Sequence, residues 1–221
     1  MKLSQLVNKW LYNQQFILFL KLSYTPFLIF GILSILFSQK ELALIINQFN
    51  YPIFDFFFKY LTYVGDGLIC IILILAFVKN RFFRLAFIIS TILVLSVTYI
   101  FKYQLFPNTP RPLALFKDQP NLIHTVDGVI IFMARSFPSG HTMVAFSMLS
   151  MLAVALNKKL MTTLLYFLAF LIGFSRMYLF EHFMIDVLVG GLLGLFITYI
   201  SLIISDSILL KFSMNAKNQS K

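Results

Sequence analysis

Apolar runs long enough to cross a lipid bilayer recur along this chain, and they constrain its fold more than any other feature. Hydrophobic residues make up 60% of the 221 residues, and the mean hydropathy is +0.88. Soluble domains are about 45–50% apolar, and a membrane-spanning helix needs about 20 consecutive apolar residues. The sequence therefore predicts an all-α integral membrane protein whose helical bundle forms a single domain over residues 1–221.

Six membrane-spanning helices are predicted from these runs. An aromatic segment at 48–63, which also contains Asp55 and Lys59, is typical of a helix in the membrane interface before the second span, or of a re-entrant segment, rather than of a seventh span. The first span is expected to be a retained N-terminal anchor, because it lacks a clear small-x-small cleavage site. The predicted spans lie at 18–38, 66–79, 84–105, 141–157, 160–180 and 184–205.

Lysine and arginine indicate how the helices are oriented. The formal net charge is +10, but the cations cluster at segment ends, where lipid head groups explain them better than nucleic acid does. With the N-terminus inside, the inner ends carry more of them, so both termini are predicted to be cytoplasmic. The inner set contains Lys2, Lys9, Lys79, Arg81, Arg84, Lys158, Lys159, Lys211, Lys217 and Lys221, and the outer set contains Lys40, Lys59, Lys102, Arg111, Lys117, Arg135 and Arg176.

Three polar islands interrupt the apolar sequence, and the predicted topology brings all of them to the outer face. They lie at the end of the third helix, at the start of the fourth, and in the turn between the fifth and sixth. They contain Lys102 and Arg111-Pro112, then Pro138-Ser139-Gly140-His141, then Ser175-Arg176, His182 and Asp186.

The third island holds a histidine and a carboxylate at helical spacing. His182 and Asp186 are four residues apart, so they share one face at the start of a helix. The carboxylate can fix the imidazole tautomer and leave the other ring nitrogen free as a nucleophile. Taken alone, the pair also fits an interfacial histidine capped by a nearby acid.

The second island is suited to binding an anion. Ser139 is a candidate N-cap, and Gly140 allows close backbone approach, so the helix start offers N–H groups and a favourable dipole. His141 at its rim could protonate a leaving oxygen and later activate water. By itself, the tetrapeptide also fits an ordinary cap before a membrane helix.

Three cations complete a set of groups suited to phosphoryl transfer. Positioned ammonium and guanidinium donors stabilise the charge on a transferring phosphoryl group. Each cation on its own also fits a residue that snorkels to the membrane surface. They are Lys102, Arg111 and Arg176.

Together, the islands resemble the type 2 phosphatidic acid phosphatase family, also called the PAP2/vanadium haloperoxidase superfamily, in its membrane lipid phosphatase branch. The family pattern is Lys-x6-Arg-Pro, then Pro-Ser-Gly-His, then Ser-Arg-x5-His-x3-Asp. The second and third motifs match in full, whereas eight residues separate Lys102 from Arg111 in the first. The resemblance covers about 60–205 and includes the six-helix layout.

The resemblance implies a lipid phosphatase and gives its residues roles. His182 corresponds to the nucleophile that forms a phosphohistidine, Asp186 to its orienting carboxylate and His141 to the general acid/base. No metal ion and no cofactor are implied, and the single Cys70 excludes a thiolate cluster within the chain. The residues that correspond to phosphate binders are Lys102, Arg111, Ser139, Gly140 and Arg176.

The identity of the lipid stays open at this stage, as does the oligomeric state. For a bacterial host, the resemblance implies the inner membrane with the site facing the periplasm. Candidate substrates are then undecaprenyl pyrophosphate, phosphatidylglycerophosphate, phosphatidic acid and the lipid A phosphates. The alternatives are a channel or transporter, for which mid-helix charges would be expected, and a vanadate-dependent haloperoxidase, whose relatives are soluble.

Several further polar or small residues receive simpler interpretations. Gly65-Asp66-Gly67 is expected to form a turn and cap, with lining of the site as the alternative. His124 and Asp127-Gly128 are expected in a solvated turn, with a lid or head-group contact as the alternative. The glycines of the last helix are expected to allow close helix packing, and they are Gly190, Gly191 and Gly194.

Overall fold

The computed structural model describes residues 3–219, and the side chains of 4–214, as a bundle of nine α-helices without a β-strand. An isolated antiparallel bridge joins Pro110 to Ala134 in the long loop between the sixth and seventh helices. The helices are α1 (Leu3–Leu11), α2 (Gln14–Leu36), α3 (Gln39–Asn47), α4 (Pro52–Leu61), α5 (Leu68–Ala76), α6 (Arg81–Tyr99), α7 (Gly140–Leu156), α8 (Lys159–Tyr178) and α9 (Met184–Gln219).

Within the described residues, four helices are long and apolar enough to cross a membrane, and a bent pair could provide a fifth span. The four are α2, α8, α9, and α6 with the turn that extends it to Leu105. The bent pair joins Pro52–Gly65 to Leu68–Ala76 at an angle of 57°. Helix α7 is apolar but has only 17 residues. The all-helical prediction is therefore confirmed, whereas six spans and an interfacial position for 48–63 stay predictions.

The N-terminal helix α1 was not expected from the sequence, and a buried carboxylate attaches it to α9. Asp206 accepts hydrogen bonds from Lys9 Nζ at 2.5 Å and from Trp10 Nε1 at 3.1 Å. Helix α2 then begins at a separate cap, because the side chain of Asn13 accepts from the N–H groups of Gln15 and Phe16.

Helix α7 lies at the centre of the bundle. It packs against α6, α8 and α9, and twelve of its 17 residues are buried. Hydroxyl groups link it to its neighbours. Ser147 Oγ lies 2.5 Å from Ser90 Oγ of α6, and Ser150 Oγ lies 2.8 Å from Thr198 Oγ1 of α9. Such hydrogen bonds between small residues allow close packing of apolar helices. The middle of α7 is therefore attached to both α6 and α9.

Glycines in α9 allow its backbone to lie directly against α7, as predicted. A Cβ atom at Gly190 would lie 2.6 Å from the carbonyl oxygen of Ser139, and one at Gly194 would lie 2.6 Å from that of Met143. At Gly191, a Cβ atom would lie 2.5 Å from the ring of Phe27. Real Cβ contacts do not approach this closely, so any larger residue must push the helices apart.

We therefore expect Gly194→Ala to destabilise the protein, because the added methyl group meets backbone atoms that cannot move aside. Overpacking of this kind reduces stability by about 1–3 kcal/mol. The control is Gly31→Ala in α2, where the nearest atom would be a leucine methyl at 3.8 Å. Thermal unfolding in detergent should show a lower Tm for the first variant only. Equal Tm values for both variants would contradict the close packing of α7 and α9.

Candidate active site

A buried carboxylate lies between two buried arginines beneath the long loop. Arg111 Nη1 donates to the Glu181 carboxylate and, at 3.3 Å, to its main-chain carbonyl oxygen. Arg176 Nη2 lies 3.4 Å from the same carboxylate. All three residues are at most 8% exposed, and this burial raises the pKa of Glu181 and lowers that of Arg111. Buried charges of this kind need one another as partners.

His182 follows Glu181 and is paired with Asp186, as its spacing predicts. Its Nδ1 atom lies 3.3 Å from the Asp186 carboxylate, which also accepts from the Ser136 hydroxyl at 2.5 Å and from the Phe183 N–H at 2.9 Å. The imidazole is 2% exposed, and burial lowers the pKa of His182 well below its ordinary value. The ring is therefore neutral at pH 7, and its Nε2 atom lies away from the carboxylate.

A backbone contact joins the second and third motifs. The N–H of Ser139 donates to the carbonyl oxygen of Asp186 at 3.0 Å. The Ser139 hydroxyl accepts from the N–H and hydroxyl groups of Thr142, so it caps α7 as predicted. The N–H of Ser139 and the acceptor side of its hydroxyl are thus used within the protein. Gly140 is the first residue of α7, where N–H groups lack partners inside the helix.

Lys102 and Arg111 line the same cavity despite their longer spacing. Lys102 lies in a wide π-helical turn, Ile100–Leu105, which closes with a 2.8 Å hydrogen bond from the N–H of Phe106 to the carbonyl of Phe101. Such turns occur often at functional sites. The cavity has a volume of about 520 Å³. The structure therefore brings the lysine and arginine of the first motif together.

The break between α4 and α5 contacts the site from the opposite side. Asp66 Oδ1 lies 2.6 Å from His141 Nε2, and Thr62 Oγ1 accepts from Arg176 Nη1 at 2.5 Å. A Cβ atom on Gly65 would lie 2.7 Å from Ile172 and 3.3 Å from His141, so glycine permits this approach. The expected turn at 65–67 is therefore also a partner of His141.

Sequence reasoning missed three residues that contact the predicted site and kept a fourth, Asp66, only as an alternative. A charge at Glu181, inside an apolar stretch, was a signal that could have identified it. The Asp66 carboxylate was given a capping role, although it carries a charge beside an apolar helix. Thr62 and Ser136 are the other two. The chain has many threonine and serine residues, and no sequence pattern distinguishes these two from the rest.

The expected solvated turn is observed at Asp127-Gly128, where both residues are exposed, but His124 is half-buried and paired. His124 Nε2 lies 2.8 Å from Asp55, which also accepts from the Tyr178 hydroxyl at 2.6 Å. The carbonyl oxygen of Asp127 accepts from Lys59 at 2.5 Å. These contacts fasten the long loop to α4.

The family model described as the PAP2 superfamily matches residues 83–208, which is more than half of the chain and contains all three motifs. The chain belongs to the PAP2 superfamily. No curated protein matches it. Among solved structures, LpxE of Aquifex aeolicus is 33% identical, with a TM-score of 0.58, and the match covers 73% of this chain and 93% of that one.

A second PAP2 structure shares the fold. It is described as the first transmembrane PAP2 type phosphatidylglycerolphosphate phosphatase from Bacillus subtilis, and it is 23% identical with a TM-score of 0.52. The match covers 84% of this chain and 94% of that chain. The PAP2 family match begins at residue 83, so Thr62 and Asp66 lie outside it and are known here from their contacts alone.

The arrangement around Glu181 predicts a stability effect. In Glu181→Gln, two buried guanidinium groups lose their carboxylate, and removal of one partner from a buried pair typically reduces stability by about 3–5 kcal/mol. We expect a lower Tm in detergent and partial recovery on addition of sulfate, which can replace the lost negative charge. Asp118→Asn, at an exposed position of the long loop that carries Arg111, is the control. A Glu181→Gln protein as stable as this control would contradict the buried bridge.

Proposed function

We propose that this PAP2 protein is a membrane phosphatase that removes the terminal phosphate of a lipid phosphate or lipid pyrophosphate. The observation that carries the proposal is the buried His182, which is paired with Asp186 and lies next to two buried arginines. Arg176 Nε is buried and has no hydrogen-bond partner among the described residues. Buried donors are rarely left unpaired, and a phosphoryl oxygen would satisfy this one.

His182 is the proposed nucleophile. Asp186 holds the Nδ1 side of the ring, and the Nε2 atom attacks phosphorus. A P–N bond forms while the P–O bond to the leaving group breaks, and His141 gives a proton to the departing oxygen. Water then attacks the phosphohistidine and passes a proton to His141. This second step releases inorganic phosphate and restores both histidines.

The charge on the phosphoryl oxygens is stabilised by Lys102, Arg111 and Arg176. Guanidinium groups can each hold two oxygens, and Glu181 keeps the two arginines in place before the substrate arrives. We also propose that the N–H of Gly140 contributes at the start of α7. The Ser139 hydroxyl caps α7 as an acceptor, and a hydroxyl also has a proton to donate, so we propose that it binds a phosphoryl oxygen as well. With cations in this role, we expect the reaction to need no metal ion.

We further propose that the site opens on the outer side of the bacterial inner membrane, with both chain termini in the cytoplasm. The distribution of lysine and arginine supports this orientation. The substrate is then a lipid of the outer leaflet of that membrane. The candidates are those that the sequence suggested: undecaprenyl pyrophosphate, phosphatidylglycerophosphate, phosphatidic acid and the lipid A phosphates.

Replacement of the nucleophile tests the proposed function. We expect purified His182→Ala to lose turnover of lipid phosphates in EDTA-containing buffer while it keeps the wild-type Tm. Wild-type protein mixed with a ³²P-labelled substrate and quenched in alkali should carry label on His182. Asp186→Asn should lower turnover by about 10⁴-fold, as loss of a tautomer-setting carboxylate does elsewhere. Residual His182→Ala activity close to wild type, or dependence on a divalent ion, would refute this mechanism.

The contact between Asp66 and His141 adds a positioning residue to this mechanism. The carboxylate can hold the imidazole in place and favour its protonated form, which the leaving oxygen needs. Thr62 supports Arg176 from the same break. The segment between α4 and α5 would therefore orient two of the groups that act on the substrate.

We expect Asp66→Asn to slow turnover of a lipid phosphate by about 10- to 100-fold, less than the 10²–10⁴ that general acid–base catalysis can contribute. Turnover of p-nitrophenyl phosphate should fall much less, because its leaving group departs without a proton. Asp55→Asn is the matched control, since Asp55 also pairs with a histidine but lies outside the site. An equal loss on both substrates would mean that Asp66 has only a structural role.

A further inference from the structure

The cavity shared by Lys102 and Arg111 contains a third cation that belongs to none of the three motifs. Arg135 lines this cavity of about 520 Å³ together with Tyr103 and Phe132. Cavities of roughly 300–1,000 Å³ hold whole small molecules, so the volume exceeds what one phosphoryl group needs. None of the residues that line it is acidic.

The backbone on both sides of Arg135 is held in place. The carbonyl oxygen of Met133 accepts a hydrogen bond from the N–H of Arg111 at 3.0 Å, and that of Ala134 accepts one from Arg111 Nε at 3.1 Å. On the other side, the N–H of Ser136 donates to the carbonyl oxygen of Thr109 at 3.3 Å. Arg135 itself has a left-handed backbone with φ of 59°. Such a conformation persists where the surrounding structure enforces it, so the arginine is attached to the same framework as the phosphate clamp.

The side chain of Arg135 is also directed by a specific contact. Its guanidinium carbon lies 4.6 Å from the centroid of the Tyr103 ring, and a guanidinium over an aromatic face is attracted by the ring. Tyr103 adjoins Lys102 in the π-helical turn, so the guanidinium is held beside the lysine. Arg135 remains exposed, and its donors are thus available to a ligand in the cavity.

The charges along the cavity indicate what this ligand carries. Lys102, Arg111 and Arg135 are all cationic, and no carboxylate lines the cavity beside them. Lys102 and Arg111 are the proposed partners of the transferred phosphate. Arg135 would then meet a second anionic group next to it.

We infer that Arg135, on the ring of Tyr103, binds a second phosphate of the substrate, so that lipids with two neighbouring phosphates are preferred over lipids with one. This inference rests on the proposed function. The second phosphate could be attached directly, as in a lipid pyrophosphate, or through a short linker, as in phosphatidylglycerophosphate. In both kinds of lipid, the second phosphate offers oxygen atoms to the guanidinium of Arg135. Phosphatidic acid has no second phosphate and so offers no such oxygen.

Matched substrate pairs test the inference. Farnesyl diphosphate and farnesyl monophosphate share one chain, and phosphatidylglycerophosphate is compared with phosphatidic acid. We expect kcat/KM to be higher for the lipid with two phosphates in at least one pair. A preference for farnesyl diphosphate indicates a directly attached second phosphate, and a preference for phosphatidylglycerophosphate indicates one attached through a linker. In Arg135→Gln this ratio should fall by about 10- to 100-fold, the effect of one hydrogen bond to a charged group. Arg135→Lys should keep part of the preference.

Lys117→Gln is the control variant, because Lys117 is an exposed cation of the same loop and does not line the cavity. Its substrate ratios should equal those of wild type, since any general loss of surface charge would affect both variants alike. If the wild type turns over both members of each pair equally well, or if Arg135→Gln leaves the ratios unchanged, the second-phosphate site is refuted while the phosphatase function stands.

A binding measurement separates this inference from the proposed function. Inorganic pyrophosphate should raise the Tm of the wild type more than inorganic phosphate does, and Arg135→Gln should remove the difference. This pattern in a protein that hydrolyses none of the four lipids would support the second-phosphate site and refute the phosphatase proposal. Equal effects of both anions on the wild type would count against the site, whatever the activity.

Discussion

The carboxylate of Glu181 holds the candidate site together. It pairs with Arg111 of the long loop and with Arg176 at the end of α8, and all three side chains are buried. A guanidinium group without a partner in such surroundings would be strongly unfavourable. The loop, α8 and the turn before α9 must therefore meet at this point. Arg176 also reaches Thr62, so the same set of charges fixes the break between α4 and α5.

The positions of the histidines depend on a second constraint, the direct contact between α7 and α9. Glycines at 190 and 194 let the two backbones touch, and the N–H of Ser139 can then reach the carbonyl of Asp186. His141 and His182 are thus carried by two helix ends whose separation is fixed by backbone atoms. Sites built on packed helices hold their side chains more accurately than sites on free loops.

The sequence predicted much of the site and a smaller part of the fold. The pairing of His182 with Asp186 and the cap at Ser139 follow from local spacing, and both are observed. The meeting of Lys102 with Arg111 in one cavity agrees with the first motif, although a π-helical turn had not been expected there. The turn at 65–67 was expected, whereas the helix α1 was missed, because hydropathy identifies long apolar runs and this helix has only nine residues.

The sequence by itself determined the helical membrane character and the family. It also determined the cap that Ser139 forms at the start of α7 and the pairing of His182 with Asp186 at the start of α9. These features depend on composition and on contacts within one helical turn, where covalent geometry fixes which side chains meet. Only the tertiary structure decided that Asp66 faces His141 and that Glu181 joins two arginines. It also decided that Arg135 shares a cavity with Lys102 and Arg111. Thr62 and Arg176 are 114 residues apart, and no periodicity encodes such a contact. It arises because buried charges and hydroxyl groups must take the partners that helix packing brings to them.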